Sequence, residues 1–347
     1  MHLFPVQSAS IQRNQGMHNE KEFEGFKSPM RLYKSMSLGA ILLISSVLLA
    51  LAAYGLWAPD LSLGELQKRY DSTSSNVVNV DGIRIHFKDT GPQNAPVLLL
   101  LHGFGSSLQT WDVWAASLSQ KYRVIRLDLP GFGLTGPSPS NDYSELSDVN
   151  TLTQFVDKLG VSDLSVIGHS MGGKMAWTFA AAHPDRVKAL VLMAPDGFPQ
   201  PEAIGTKPYA MPAIMGVMKF SLPRYFVRKS IEPAFADARA LDDKMVSRYH
   251  DMLRAPGVRG AILERANQTI YTDPVPRLKQ IKAPTLLLWG EADKMIPSSN
   301  AKSYAGVLAQ SQTVFIPKLG HLLHEEQADI GLEKVTEFLD ARRLSSQ

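Results

Sequence analysis

The sequence predicts an α/β fold: a mostly parallel sheet with helices on both faces. Short, largely apolar runs recur along the chain, helical patterns lie between them, and one long stretch breaks the alternation. A strand buried on both faces needs apolar side chains in both directions, so it reads as a continuous run. Val97–Leu101 is such a run, and Val124–Leu127, Leu164–Ile167, Ala189–Met193, Thr285–Trp289 and Thr313–Ile316 are of the same kind, with at most one polar residue each. Val77–Val80 and Ile83–Phe87 flank Asp81-Gly82 and read as a hairpin. Helical patterns cover Trp111–Gln120, Ser144–Leu159, Met171–Ala182, Ser298–Ala309 and Ile330–Arg343. Strands alternating with helices imply parallel neighbours and two covered faces.

The break runs from Asp196 to Ile281, rich in proline and carrying Met211, Met215, Met218, Phe220, Tyr225 and Phe226. It reads as a mostly helical insertion over the sheet, with a small core whose inner face also lines a pocket. The expected organisation is a core in two parts, 76–195 and 282–347, around an insertion at 196–281.

Composition narrows the function. The chain has 347 residues, 44% hydrophobic and 20% charged, as an ordinary globular protein has. A formal charge of +3, spread thinly, builds no stripe for a phosphate backbone, so nucleic acid is not an expected partner. The absence of cysteine excludes disulfides, thiolate metal sites and cysteine nucleophiles.

Before the core lies a polar leader, 1–37, then a charge-free run, Leu38 to Trp57. Twenty helical residues reach about 30 Å, the thickness of a bilayer's hydrocarbon. Lys21, Lys27, Arg31 and Lys34 precede the run, while Asp60 and Glu65 follow it. The positive-inside rule then predicts a membrane anchor or uncleaved signal over 38–58, the leader in the cytoplasm and the remainder across the membrane. Ala50-Leu51-Ala52 offers an A-x-A cleavage motif, which would make the product secreted.

Leu164–Ile167 runs into Gly168-His169-Ser170-Met171-Gly172-Gly173 and then a helix, which is G-x-S-x-G in a strand–turn–helix context. A nucleophile on so sharp a turn points outward, and the helix aims N–H groups at developing negative charge. Ser170 is the candidate nucleophile; His169 reads as a packed neighbour. Acyl transfer also needs two backbone donors for one oxyanion. Met171 N–H would supply one and Phe104 N–H, in His102-Gly103-Phe104-Gly105, the other.

A serine needs a base, and the base a carboxylate to fix its tautomer. His321 follows the run Thr313–Ile316, and Asp293, in Gly290-Glu291-Ala292-Asp293, follows Thr285–Trp289. Ser, Asp, His is the chain order such folds use, and loops at the carboxyl ends of parallel strands can converge. Asp196 is the rival acid, but Ala194-Pro195-Asp196-Gly197 reads better as a turn. His324, Glu325 and Glu326 read as a solvated helix start, and His321 with His324 is too little for a metal. Gly131-Phe132-Gly133-Leu134-Thr135-Gly136 matches a dinucleotide fingerprint but runs into Pro137-Ser138-Pro139, a loop, so no helix terminus awaits a pyrophosphate.

Taken with Asp128-Leu129-Pro130-Gly131-Phe132-Gly133 and Gly320-His321, these motifs make residues 77–339 resemble the α/β-hydrolase superfamily, most closely capped bacterial esterases and lipases. The resemblance implies an eight-stranded, mostly parallel sheet with a cap inserted after the sixth strand. It implies a Ser170–His321–Asp293 triad working through an acyl-enzyme with no cofactor and no metal. The expected substrate is a small lipophilic ester or acyl compound. Carbon–carbon-bond or lactone hydrolysis with the same triad is the alternative; carbon–carbon hydrolases usually carry Asn and Trp where this chain has His169 and Leu322. A silent binding scaffold is the alternative from another class.

Overall fold

The computed structural model describes residues 37–71, 75–199, 204–205 and 211–344. The chain divides into two compact units, Met1–Gly55 and Leu56–Gln347.

The first unit holds helix α1, Leu38–Leu56. The expectation of a membrane-spanning segment is overturned here: among the described residues no helix is long and apolar enough to cross a membrane. The helix stops after 19 residues, about 28 Å at the α-helical rise against roughly 30 Å of hydrocarbon. Trp57, counted in the apolar run, is instead an extended residue bridged to Ser221. The anchor, the membrane as partner and the non-cytoplasmic or secreted placement all rested on that span and go with it. The charged leader, including Lys21, Lys27, Arg31 and Lys34, lies outside the described residues.

The second unit is built on eight strands: β1 (Asn76–Val80), β2 (Ile83–Thr90), β3 (Val97–Leu101), β4 (Arg123–Leu127), β5 (Leu164–His169), β6 (Val187–Met193), β7 (Thr285–Gly290) and β8 (Ser311–Ile316). Their spatial order is β1-β2-β4-β3-β5-β6-β7-β8. β2 runs antiparallel to β1 and β4, and every other pair is parallel. The hairpin turns where expected, with Asp81 and Gly82 at positive φ, as a two-residue loop between right-twisted strands requires. Interior strand β7 is buried at all six residues, whereas edge strand β8 is buried only at Ile316.

Helices α3 (Asp112–Leu118), α4 (Glu145–Lys158), α5 (Met171–Ala182), α10 (Asn300–Ala305) and α12 (Ala328–Leu344) pack on the sheet, after α2 (Leu63–Tyr70), and the short α11 (Leu323–Glu326) follows β8. One core cluster joins Leu99, Val166, Trp177, Phe179 and Trp289. The other joins Leu98, Trp111, Trp114, Ile167 and Phe338. Adjacent strand residues thus enter different clusters, as the two-residue period of a strand dictates.

Between β6 and β7 the chain forms a 3₁₀ turn (Ala213–Lys219) and helices α6 (Arg224–Ile231), α7 (Asp243–Leu253), α8 (Val258–Gln268) and α9 (Val275–Leu278). Their small core comprises Leu222, Val227, Phe235, Val246 and Tyr249, joined by Leu322 from beside His321. Met215, Phe220, Tyr225 and Phe226, expected inside, are instead exposed.

Residues 57–71 run along this insertion. Ala58 N–H donates to Phe220 O at 2.9 Å and Leu61 N–H to Arg254 O at 2.8 Å. Asp60 pairs with Arg259 at 2.6 Å and Arg69 with Asp251 at 2.8 Å. Asp71 then meets His86 of β2 at 3.0 Å, and His86 meets the fully buried Asp128 at 2.8 Å. One short segment therefore ties the insertion to the sheet.

Candidate active site

Ser170 stands where β5 ends and α5 begins, at φ 53° and ψ −119°. A non-glycine residue there is strained and persists only where its surroundings over-determine it. Ser170 N–H donates to Met193 O, and Ser170 O accepts from Lys174 and Asp196 N–H, each at 3.0 Å. Packing completes the constraint. A Cβ on Gly172 would lie 2.4 Å from the carbonyl oxygens of both Leu101 and His102, and one on Gly168 would lie 2.3 Å from Gly172 O. The two glycines let strand, helix and the end of β3 touch backbone to backbone.

His321, in the loop after β8, is buried, and its Nδ1 is 2.7 Å from Asp293 Oδ2. The other carboxylate oxygen, Oδ1, accepts N–H from Met295 at 2.8 Å and Ile296 at 2.9 Å. Both oxygens of Asp293 are thus occupied, which fixes the carboxylate and, through it, the ring. An ionised carboxylate only accepts, so Nδ1 carries the proton and Nε2 is left bare to take another. Asp196, the rival acid, gives its N–H to Ser170 O and lines the cavity, but His321 Nδ1 pairs with Asp293.

Ser170, His321, Phe104 and Met171 all line one cavity of about 920 Å³. Met171 is the first residue of α5, where a helix N–H has no intrahelical acceptor. The Phe104 ring stands edge-on to Phe132, centroids 5.6 Å apart. His102 accepts from Leu129 N–H through Nε2 at 3.0 Å and donates Nδ1–H to Gly103 O at 2.8 Å. It is a neutral brace for the loop, and burial pushes its pKa down. The Gly131–Gly136 loop closes on itself, with Gly131 N–H on Gly136 O at 2.7 Å.

A model of the alpha/beta hydrolase fold matches residues 96–328, more than half of the chain. The chain belongs to the α/β-hydrolase superfamily. This hydrolase is 30% identical over 280 residues to a Bacillus subtilis protein provisionally named 2-succinyl-6-hydroxy-2,4-cyclohexadiene-1-carboxylate synthase, covering 76% of this chain and 97% of that one. It is 28% identical over 283 residues to the 2-hydroxy-6-oxo-6-phenylhexa-2,4-dienoate hydrolase of Burkholderia cepacia, covering 78% and 97%. Among solved structures it resembles a bacterial membrane phospholipase A, with a TM-score of 0.63 and 25% identity over 90% of this chain and 99% of that one.

Beside Ser170 the cavity of the hydrolase carries charge that no motif announced. Lys174, one turn along α5, and Arg277 both pair with the single carboxylate of Glu145. Arg277 also lies over the Trp177 ring, 5.1 Å from its centroid, and burial lowers its pKa. Arg265 is committed to Asp148 through two bonds of 2.7 and 2.8 Å.

The solvated helix start expected at His324, Glu325 and Glu326 is a buried network instead. The Glu325 carboxylate accepts from Thr110 and Arg248 and, at 3.0 Å, from Tyr249 OH. Burial alone would raise the Glu325 carboxyl, yet Arg248 and these partners hold it below its ordinary value. His324 Nε2 meets Thr110 Oγ1 at 2.9 Å, and its ring stacks on Trp111, centroids 4.6 Å apart. Glu326 accepts N–H from Gly320, Ala236 and Asp237 at 2.8, 3.1 and 2.9 Å. Acidic residues opening a helix usually face water; these face α7 and the insertion, which only the fold brings there.

Proposed function

We propose that this hydrolase cleaves a carbon–carbon bond or an enol-lactone next to a carbonyl in a small carboxylate-bearing substrate, with Ser170 as nucleophile, His321 as base and Asp293 as its orienting acid. Similarity to a dienoate hydrolase over 97% of that enzyme's length carries the reading. Lys174 and Arg277, which line the cavity and both pair with Glu145, are the cations a substrate carboxylate would meet there, beside the carboxylates of Asp196 and Asp273.

Ser170 Oγ attacks the carbonyl carbon while His321 Nε2 takes its proton, and Asp293 stabilises the imidazolium. The oxyanion receives N–H from Phe104 and Met171. When the tetrahedral adduct collapses, the bond to the leaving carbon or lactone oxygen breaks, and its electron pair takes the proton from His321. Water then attacks the acyl-enzyme, giving one proton to His321, which returns it to Ser170 Oγ.

Carboxylic-ester hydrolysis, the first expectation, is the second reading. His169 and Leu322 stand where carbon–carbon hydrolases usually have Asn and Trp, and the 25% identity to a phospholipase A favours it too. Three substrate classes separate the readings: a 2-hydroxy-6-oxohexa-2,4-dienoate, an enol-lactone and a series of p-nitrophenyl esters, each beside Ser170→Ala. Either of the first two should exceed the best ester in kcat/KM by on the order of 100-fold. The reverse ranking replaces this reading with the ester one, and activity surviving in Ser170→Ala overturns both.

A further inference from the structure

We propose that His169 is a positioning residue for His321: a fixed, neutral Nε2–H donor that sets the main chain of the base loop against the nucleophile. The proposal rests on the triad reading above.

His169 ends β5, and its side chain passes behind the turn to lie 3.0 Å, at Nε2, from the carbonyl oxygen of His321. A carbonyl only accepts, so Nε2 bears the hydrogen and Nδ1 is a bare lone pair. Among the described residues Nδ1 is buried without a hydrogen-bond partner, and it faces Gly103, where a Cβ would stand 2.8 Å from it. A second proton would have nothing to bond to, and buried donors without acceptors are costly. The ring is packed between His321 and His324, at centroid distances of 4.5 and 4.7 Å. Burial, with those two histidines beside it, pushes its pKa well below the ordinary value.

This placement does something that general packing does not. Asp293 holds the imidazole end of His321, and His169 holds its main-chain end. Glu326 steadies the loop from the other side through Gly320 N–H at 2.8 Å. His169 is covalently next to Ser170, so its hydrogen bond measures the base loop directly from the nucleophile. A sideways slip of the loop by about an ångström would break the bond, and a displacement of that size at a reacting pair can cost about 100-fold. Against Gly103 the same ring also abuts the loop that carries Phe104, so one side chain joins the Ser170 turn, the His321 loop and the Phe104 loop.

The test uses the full chain and the rate at which a fluorophosphonate labels Ser170, followed from pH 5 to 9, in His169→Leu and His169→Gln. Leucine fills the space without donating, while the glutamine amide can reach the same carbonyl. His169→Leu should melt cooperatively and label on the order of 100-fold more slowly, with the midpoint of its pH profile displaced. His169→Gln should recover most of the rate and the wild-type midpoint. Wild-type labelling by the leucine variant overturns the proposal, and so does equal slowing in both variants, because the donor then does not matter. If leucine prevents folding, His169→Asn, whose donor falls short of the carbonyl, replaces it under the same two outcomes. A wild-type chain that melts cooperatively yet is never labelled refutes the triad reading, and this inference falls with it.

Discussion

His321 Nδ1 lies 2.7 Å from Asp293 Oδ2, and the second oxygen of that carboxylate is held by the amides of Met295 and Ile296. That carboxylate therefore has no freedom to turn, and the tautomer of His321 follows from it. Asp293→Asn would present an amide N–H to Nδ1 or swing its oxygen out of place. Where it donates, the proton moves to Nε2 and the base cannot accept from Ser170. Turnover should fall by about 10³- to 10⁴-fold, while Asp196→Asn stays within a few-fold of wild type. Steady-state rates of the two variants check this, and the opposite ranking would return Asp196 to the triad.

The buried pair of Arg248 and Glu325 should behave asymmetrically. Glu325 is 4% exposed at its side chain and Arg248 18%. Removing one partner leaves an uncompensated buried charge, so Glu325→Ala should lose about 3–5 kcal/mol. Replacing both, Arg248→Met with Glu325→Leu, should restore much of that. Urea unfolding of the three proteins measures it; equal losses in the single and double variants would show that packing rather than charge is responsible.

His324 should make the acid limb of stability steep. Burial pushes its pKa down to about 4, with Glu325 opposing and His321 and Arg248 adding to the shift. The unfolded value is about 6.5, so between roughly pH 6.5 and pH 4 the unfolded chain binds the extra proton. This contribution is whole above the unfolded value and is lost as pH falls toward the folded one, at up to about 1.4 kcal/mol per pH unit. His324→Gln, which still reaches Thr110, should flatten the limb relative to wild type in melts taken across that window. Parallel curves would show that His324 does not titrate there.

Gly172→Ala should be poorly tolerated, because its Cβ would stand 2.4 Å from two backbone carbonyl oxygens that cannot rotate away. A loss of about 3 kcal/mol or more follows from overpacking against main chain. Gly64→Ala, with nothing within 4 Å of its Cβ in α2, is the control and should melt like wild type.

Much of this molecule could be read before it was folded. Largely apolar runs mark sheet strands, and all six found that way lie in the sheet, although edge strand β8 is only partly buried. Ser170, Phe104, His321 and Asp293 could be named as candidates because each follows such a run, at the carboxyl end of a parallel strand, where loops must gather. The reading failed where a local pattern has two physical outcomes. Leu38–Trp57 is apolar enough to suggest a span, yet its helix ends at Leu56 and Trp57 pairs as extended backbone. Met215, Phe220, Tyr225 and Phe226 look like core but lie exposed, since apolar composition does not say which face a short helix buries.

Periodicity and turn chemistry act between near neighbours in the chain, so the sequence by itself determined the strands, the sharp turn at Ser170 and the chain order of the candidate residues Ser170, Asp293 and His321. Burial and ion pairing depend on distance in space. Only the tertiary structure could put Arg248 against Glu325, tie residues 57–71 to the insertion, or choose Asp293 over Asp196 for a ring nitrogen that just one carboxylate meets.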